Sequence, residues 1–224
     1  FYHQALHRIQ ESAGVESASV ASNTPLNNSP NPAMEFVIEG RPPLQQGQRQ
    51  ISDLVVTSSN YFNLIGSKLL RGRDFTENDN HDSNGVAIIS ELMAKRYWRS
   101  EDPIGRRFKI NSDPNAKWLT IVGIVGDVKQ SWFDQEIRPQ FYLPYLQRPT
   151  LKMLFLVRTS GNPLNLVSTM RSQIYAVDRN QPIDEIKTLA QVFKDEASPL
   201  RFAAVLMLVF GSLALILAAI GIYG

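Results

Sequence analysis

The chain has 224 residues, 43% of them hydrophobic, and 23 Lys and Arg against 21 Asp and Glu leave a formal charge of only +2. That length can bury a core as one large domain or two small ones, and without a clustered basic stripe nucleic acid is excluded as a partner. No cysteine is present, which excludes disulfides, thiolate metal sites and thiol catalysis.

The chain opens on FYHQALHRIQES, where Phe1, Leu6 and Ile9 stand among polar neighbours as on a helix. Helical chain is expected before it. Val15–Ala21 alternates as a half-buried strand does, and an Asn-, Pro- and Ser-rich loop runs to Pro32. Strands are predicted over Met34–Glu39 and Ile51–Thr57. A short helix follows, capped by Ser58 or Ser59 and stopped by Gly66. Gly72 and DFTENDNHDSNG read as a surface loop, Val86–Ile89 as a buried strand, and Ser90 as the cap of helix ELMAKRYW. RFKI and Trp118–Val128 read as strands, the second bent or closely approached at Gly123 and Gly126. FYLPY reads as an edge strand, because Pro144 cannot donate to a central ladder.

Strand Leu151–Thr159, helix Leu164–Val177 and strand Ile183–Lys187 make a β-α-β unit. Thr188 caps a further helix that Pro199 is expected to end. The fold class is α+β, with two lobes: the first discontinuous, residues 1–69 and 149–200, and the second inserted over 70–148. Residues 201–224 are a transmembrane helix. Phe202–Gly224 holds no charge, Pro, Asn, Gln or His, and at 1.5 Å per residue spans about 34 Å, enough for a hydrocarbon core of about 30 Å. Gly211, Ala214, Ala218 and Gly221 recur at spacings of three and four, a stripe of small residues suited to helix packing.

Phosphate-loop, dinucleotide, nucleophile-elbow and HExxH signatures are absent, so no catalytic residue and no cofactor is expected. Three clusters remain. His3 and His7, with Glu11 one turn on, could seat a metal, although a solvated helix end explains them more simply. Asn80 to Gly85 with Glu91 nearly fits a calcium loop, but Asn stands first and a strand follows the glycine. Asp74, Glu77, Asp79 and Asp82 crowd one stretch, where acid–base work would need a cleft and solvation is the simpler expectation.

The stretches SSNYFNLIGSKLLRGRDFTENDN, GVAIISELMAKRYW, EDPIGRRFKI, IVGIVGDVK, FYLPY, LVRTSGNP and RFAAVLMLVFGSLALILAAIGIYG follow in order. Together they resemble the MacB-like periplasmic core domain joined to the start of an FtsX-like permease domain. The resemblance implies a porter-like discontinuous lobe, a mixed α/β inserted lobe, and an inner-membrane location with residues 1–200 periplasmic. It also implies a homodimer or paired permease half, a separate ABC ATPase, a periplasmic adaptor, and a role in export or extraction by mechanotransmission. A membrane-anchored extracytoplasmic binding or sensor module without transport is the alternative.

Overall fold

A computed structural model describes residues 1–25, 29–42, 45, 47–110, 116–129 and 136–223, without side chains for 193 and 196–204. It divides into two compact units, 1–184 and 185–224.

The first unit begins with α1 (Tyr2–Gln10), which buries Ala5, Leu6 and Ile9 on one face. Strand β1 (Val15–Ala21) leads to β2 (Ala33–Ile38) and β3 (Ile51–Thr57). Short α2 (Tyr61–Ile65) ends at Gly66 in the left-handed conformation. Its N-cap is Asn60, not Ser58 or Ser59, because Asp74 Oδ2 accepts from Asn60 N at 3.0 Å and fixes the turn there.

Next come β4 (Leu69–Gly72), β5 (Val86–Ser90) and α3 (Glu91–Tyr97). Ser90 Oγ accepts from Met93 N at 3.2 Å and Asp127 Oδ1 from Leu92 N at 2.7 Å, so two otherwise unpaired donors at the start of α3 are satisfied. Strands β6 (Arg107–Ile110), β7 (Leu119–Val125), β8 (Gln140–Pro144) and β9 (Leu154–Thr159) complete the sheet. A 3-10 turn over Pro163–Leu166 then starts α4 (Val167–Val177).

The strands form one sheet in the order β2-β6-β7-β5-β8-β3-β1-β9, with β4 beside β7. Because β2 also pairs with β3, six strands close into a ring, and β1 and β9 extend from it. Alternation assigns the faces. Leu54, Val56, Ala87, Ile89, Phe141 and Leu143 share one cluster with Leu6 and Ile9 of α1, Met93 of α3 and Ile174 of α4. Val55, Ile88 and Tyr142 share the other with Tyr61 and Phe62 of α2. Burying each such side chain stabilises the fold by about 1.5–3 kcal/mol.

Several sequence expectations are corrected. Strand β8 is central, parallel to β3 and antiparallel to β5, and all five of its residues are buried. Pro144 is tolerated because it is the last residue: the β5 register ends at Tyr142, and Tyr145 N resumes donation to Thr57 O at 3.0 Å. Leu69–Gly72, of which the sequence placed only Gly72 and that in a surface loop, is a strand. It meets β7 where Gly72 faces Gly123; a Cβ on Gly72 would lie 2.2 Å from Val122 O, and one on Gly123 2.4 Å from Arg73 O. Gly126 shows no comparable approach. Residues 183–187 form no strand, so β9 and α4 lack the third member of the predicted β-α-β unit.

In the second unit, Thr188 Oγ1 accepts from Gln191 N at 3.2 Å while Gln191 Oε1 accepts from Thr188 N at 2.8 Å, a reciprocal cap. It starts α5 (Leu189–Tyr223), which continues through Pro199 instead of ending there; proline removes a single backbone donor.

Candidate functional site

The clusters singled out in the sequence settle into structural roles. His7 Nδ1 lies 3.3 Å from Glu11 Oε2, but His3 Nε2 faces Glu77 Oε1 at 3.9 Å, so the two histidines turn to different carboxylates. Among the described residues no three such side chains converge as metal ligands.

The loop from Asn80 to Gly85 is closed by protein groups. Asn80 Oδ1 accepts from Asp82 N at 3.0 Å, and Gln147 Nε2 donates to Ser83 Oγ at 2.8 Å and Asn84 O at 2.9 Å. Strand β5 separates Gly85 from Glu91; its five residues at about 3.3 Å each carry Glu91 about 17 Å away. There Glu91 pairs with Lys95 at 2.6 Å. The calcium-loop spacing therefore does not bring its end ligand to the turn.

The carboxylates divide. Asp82 is exposed beside His81, and Glu77 is exposed. Asp79 is buried, a departure from the solvated reading. It accepts from Arg73 Nη1 at 2.7 Å and Nη2 at 2.8 Å, and from Thr76 N at 2.8 Å. Burial works to raise its pKa, but the bonds from Arg73 and Thr76 hold it below the ordinary carboxylate range. Asp74 is raised, because burial outweighs the N–H groups of Phe75 and Asn60. Its two oxygens are occupied by those donors, so the pair ties the β4–β5 connection to α2 and makes no open acid–base site.

Among the described residues of the 1–184 unit, a crevice and a groove are formed. A crevice of about 70 Å³ runs between α1 (Leu6, Gln10), Ser58 and Ser59, the turn Phe75–Glu77, and Tyr145. Burial, with Glu77 adding to it, pushes the Tyr145 phenol up to about 12, so it stays neutral. A groove of about 330 Å³ lies between β4 and α3, lined by Leu70, Ala94, Trp98, Pro103 and Ile124 with Arg71, Lys95 and Arg99. Arg71 is already paired with Asp102 at 2.6 Å.

The second unit carries the membrane-directed feature. Val205–Tyr223 is 19 residues long, and its most apolar 18 residues have a mean hydropathy of 2.7, none of them buried. This is long and apolar enough to cross a bilayer. Gly211, Ala214, Ala218 and Gly221 all lie on α5, and at 100° per residue fall within an arc of roughly 80°. A Cβ added at Gly211 or Gly221 would meet nothing within 4 Å. The side chain of Arg201, just ahead of the apolar stretch, lies outside the described residues.

The sequence model of the MacB-like periplasmic core domain matches residues 6–190. The chain belongs to the MacB-like periplasmic core domain family. It is 33% identical over 73 residues to the macrolide export ATP-binding/permease protein MacB of Aggregatibacter actinomycetemcomitans, covering 33% of this chain and 11% of that protein. It is 37% identical over 68 residues to the uncharacterized ABC transporter permease YknZ of Bacillus subtilis, covering 30% of this chain and 16% of YknZ. The chain thus spans a small part of the length of the curated relatives it matches. The periplasmic region of MacB from Actinobacillus actinomycetemcomitans superposes with a TM-score of 0.52 at 18% identity, covering 77% of this chain and 72% of that one. A permease-protein domain from Porphyromonas gingivalis gives 0.51 at 16% identity, covering 84% and 83%. These likenesses show that the chain shares the mixed α/β fold of those domains, and in this chain an apolar helix follows it.

Proposed function

We propose that the chain is the extracytoplasmic core domain of an ABC-type permease subunit, coupling ATP-driven motion on the cytoplasmic side to export or extraction of molecules by mechanotransmission. The observation that carries this is the succession of a MacB-like core domain over 6–190 and a bilayer-length apolar helix over Val205–Tyr223. In this reading residues 1–200 are periplasmic, α5 enters the inner membrane, and its apolar part begins an FtsX-like permease domain.

In this reading residues 1–69 and 149–200 make the porter-like lobe and 70–148 the inserted lobe. The return of β9 to β1 supports the joining of the first and last segments, while β2 and β3 close one ring with β6, β7, β5 and β8. The small-residue arc of Gly211, Ala214, Ala218 and Gly221 packs on another membrane helix, since in lipid close backbone approach drives association. The chain acts with a second permease half, identical or paired, with a separate ABC ATPase that performs the hydrolysis, and with a periplasmic adaptor. It contributes motion and surface, and no catalytic group or cofactor.

Affinity purification of the full-length protein from detergent-extracted membranes tests the reading. An ABC ATPase should co-purify in stoichiometric amount and hydrolyse ATP. Recovery of the protein without any ATPase would favour the anchored binding or sensor module.

A further inference from the structure

Within the 1–184 unit, β1 joins the ring through a single register pair, Ala21 with Thr57, whereas it pairs with β9 along Val15–Ala21 and β3 pairs with β8 along Asp53–Thr57. Around that pair hydroxyls take over much of the bridging. Ser19 Oγ and Ser58 Oγ are 2.8 Å apart, and Val20 N donates to Ser58 Oγ at 3.1 Å. Thr57 Oγ1 donates to Val20 O at 2.9 Å, and Val56 N donates to Ser22 Oγ at 3.0 Å. Two backbone bonds accompany them, Ser58 N to Val20 O at 2.9 Å and Ser22 N to Val56 O at 2.7 Å. Ser19, Thr57 and Ser58 are buried.

The chemistry of this seam differs from that of a ladder. A backbone ladder slips only by whole registers, because an odd step turns every side chain to the other face. A hydroxyl both donates and accepts, and rotates to suit its neighbours. Four of them side by side can exchange partners over a small displacement without leaving a buried group unpaired, which would cost far more than the exchange. Space for displacement lies alongside: the 70 Å³ crevice opens at Ser58 and Ser59, between α1 and the turn Phe75–Glu77. Across it the polar contact from α1 is the long, exposed His3–Glu77 pair, and Leu6 and Ile9 add apolar packing, which has no fixed register to break. A firm tie sits elsewhere, where Arg158 Nη2 of β9 donates to Leu64 O at the end of α2 at 2.9 Å.

We infer that the seam is a joint: the layer of α1, β1, β9 and α4 shifts against the six-strand ring, pivoting near Arg158 and Leu64, by exchange of hydroxyl partners among Ser19, Ser22, Thr57 and Ser58. Its use rests on the permease reading, in which motion from the membrane enters this layer, since α4 is the element that precedes α5 in the chain. Its existence does not.

The cysteine-free chain allows a clean test by double electron–electron resonance in the full chain embedded in lipid nanodiscs. Spin labels at exposed Ala176 in α4 and exposed Ser100 after α3 span the seam; labels at exposed Lys68 and Ser100 stay on the ring side. The cross-seam distance distribution should be at least twice as broad as the ring-side one. Ser58→Val, which removes the acceptor of Val20 N and the partner of Ser19, should broaden it further and leave the ring-side distribution unchanged. Equal widths for the two pairs in the unaltered chain would overturn the joint, whether or not an ATPase co-purifies. If Ser58→Val broadens both pairs, the ring itself has loosened and the comparison in the unaltered chain decides.

Discussion

Asp79→Asn probes the connection between β4 and β5 most sharply. The substitution keeps the shape of a side chain only 6% exposed but removes the charge facing both Arg73 nitrogens, at 2.7 and 2.8 Å. Hydrogen bonds to charged groups contribute about 1.5–3 kcal/mol each. Arg73 is 47% exposed, so water recovers part of its share, and Asn retains one acceptor. The expected loss is therefore about 2 kcal/mol, or about 4–8 °C in melting temperature for a chain of this size. The pH dependence has a definite sign. Asp79 titrates below its unfolded value of about 3.9, so its contribution is complete above that pH and disappears as pH falls through the folded value. Asp74, raised chiefly by burial, pulls the other way; the Asp79 charge is the smallest contributor to that rise, so most of the effect is common to both proteins and cancels in the difference.

Melting followed by tryptophan fluorescence in detergent, from pH 3 to 8, should show a constant gap above about pH 5 that closes towards pH 3. Asp82→Asn, at an exposed site, should shift melting by less than about 1 °C. A gap as small as that of Asp82→Asn, or one undiminished at pH 3, would refute the assignment of Asp79 as a buried ion-pair anchor.

Gly123→Ala should cost at least about 2 kcal/mol by denaturant titration, because its Cβ would meet Arg73 O at 2.4 Å, while Gly161→Ala, with nothing within 4 Å, should be close to neutral. For topology, cysteines introduced at exposed Asn180 and Gln48 should react with an impermeant thiol reagent on intact spheroplasts; reaction only after lysis contradicts a periplasmic domain. Ala218→Leu should impair assembly of the permease pair, read by in-membrane cross-linking at equal expression, more than Leu217→Ala does, since bulk in the small-residue arc separates helix backbones. Equal effects remove the case for packing on that side.

Local pattern carried much of the fold. Val15–Ala21, Ile51–Thr57 and Arg107–Ile110 are strands with the bounds their alternation suggests, and Ser90 caps α3 as its position implies. What failed was non-local. That β8 lies between β3 and β5 follows from long-range pairing, and a proline at its last residue misled because only its interior would have been damaged. Strand β4 has only four residues, all exposed and the last a glycine, so no alternation betrays it; pairing with β7 makes it a strand. Pro199 stops a helix by propensity but not here, where α5 runs on into an apolar stretch. At the candidate site, Asp79 and Asp82 look alike in sequence, and only the return of Arg73 in space buries one of them. The apolar helix was legible because it needs no partner to be recognised.

The central claim is that nucleotide-driven motion reaches this domain through the membrane. One spin label at Asn180 in each half of the permease pair, reconstituted with its ABC ATPase in nanodiscs, measures it directly. Vanadate trapping with Mg-ATP should shift the Asn180–Asn180 distance by several ångströms relative to the nucleotide-free complex. A distance distribution identical in the two states, in a complex that hydrolyses ATP, would contradict the account.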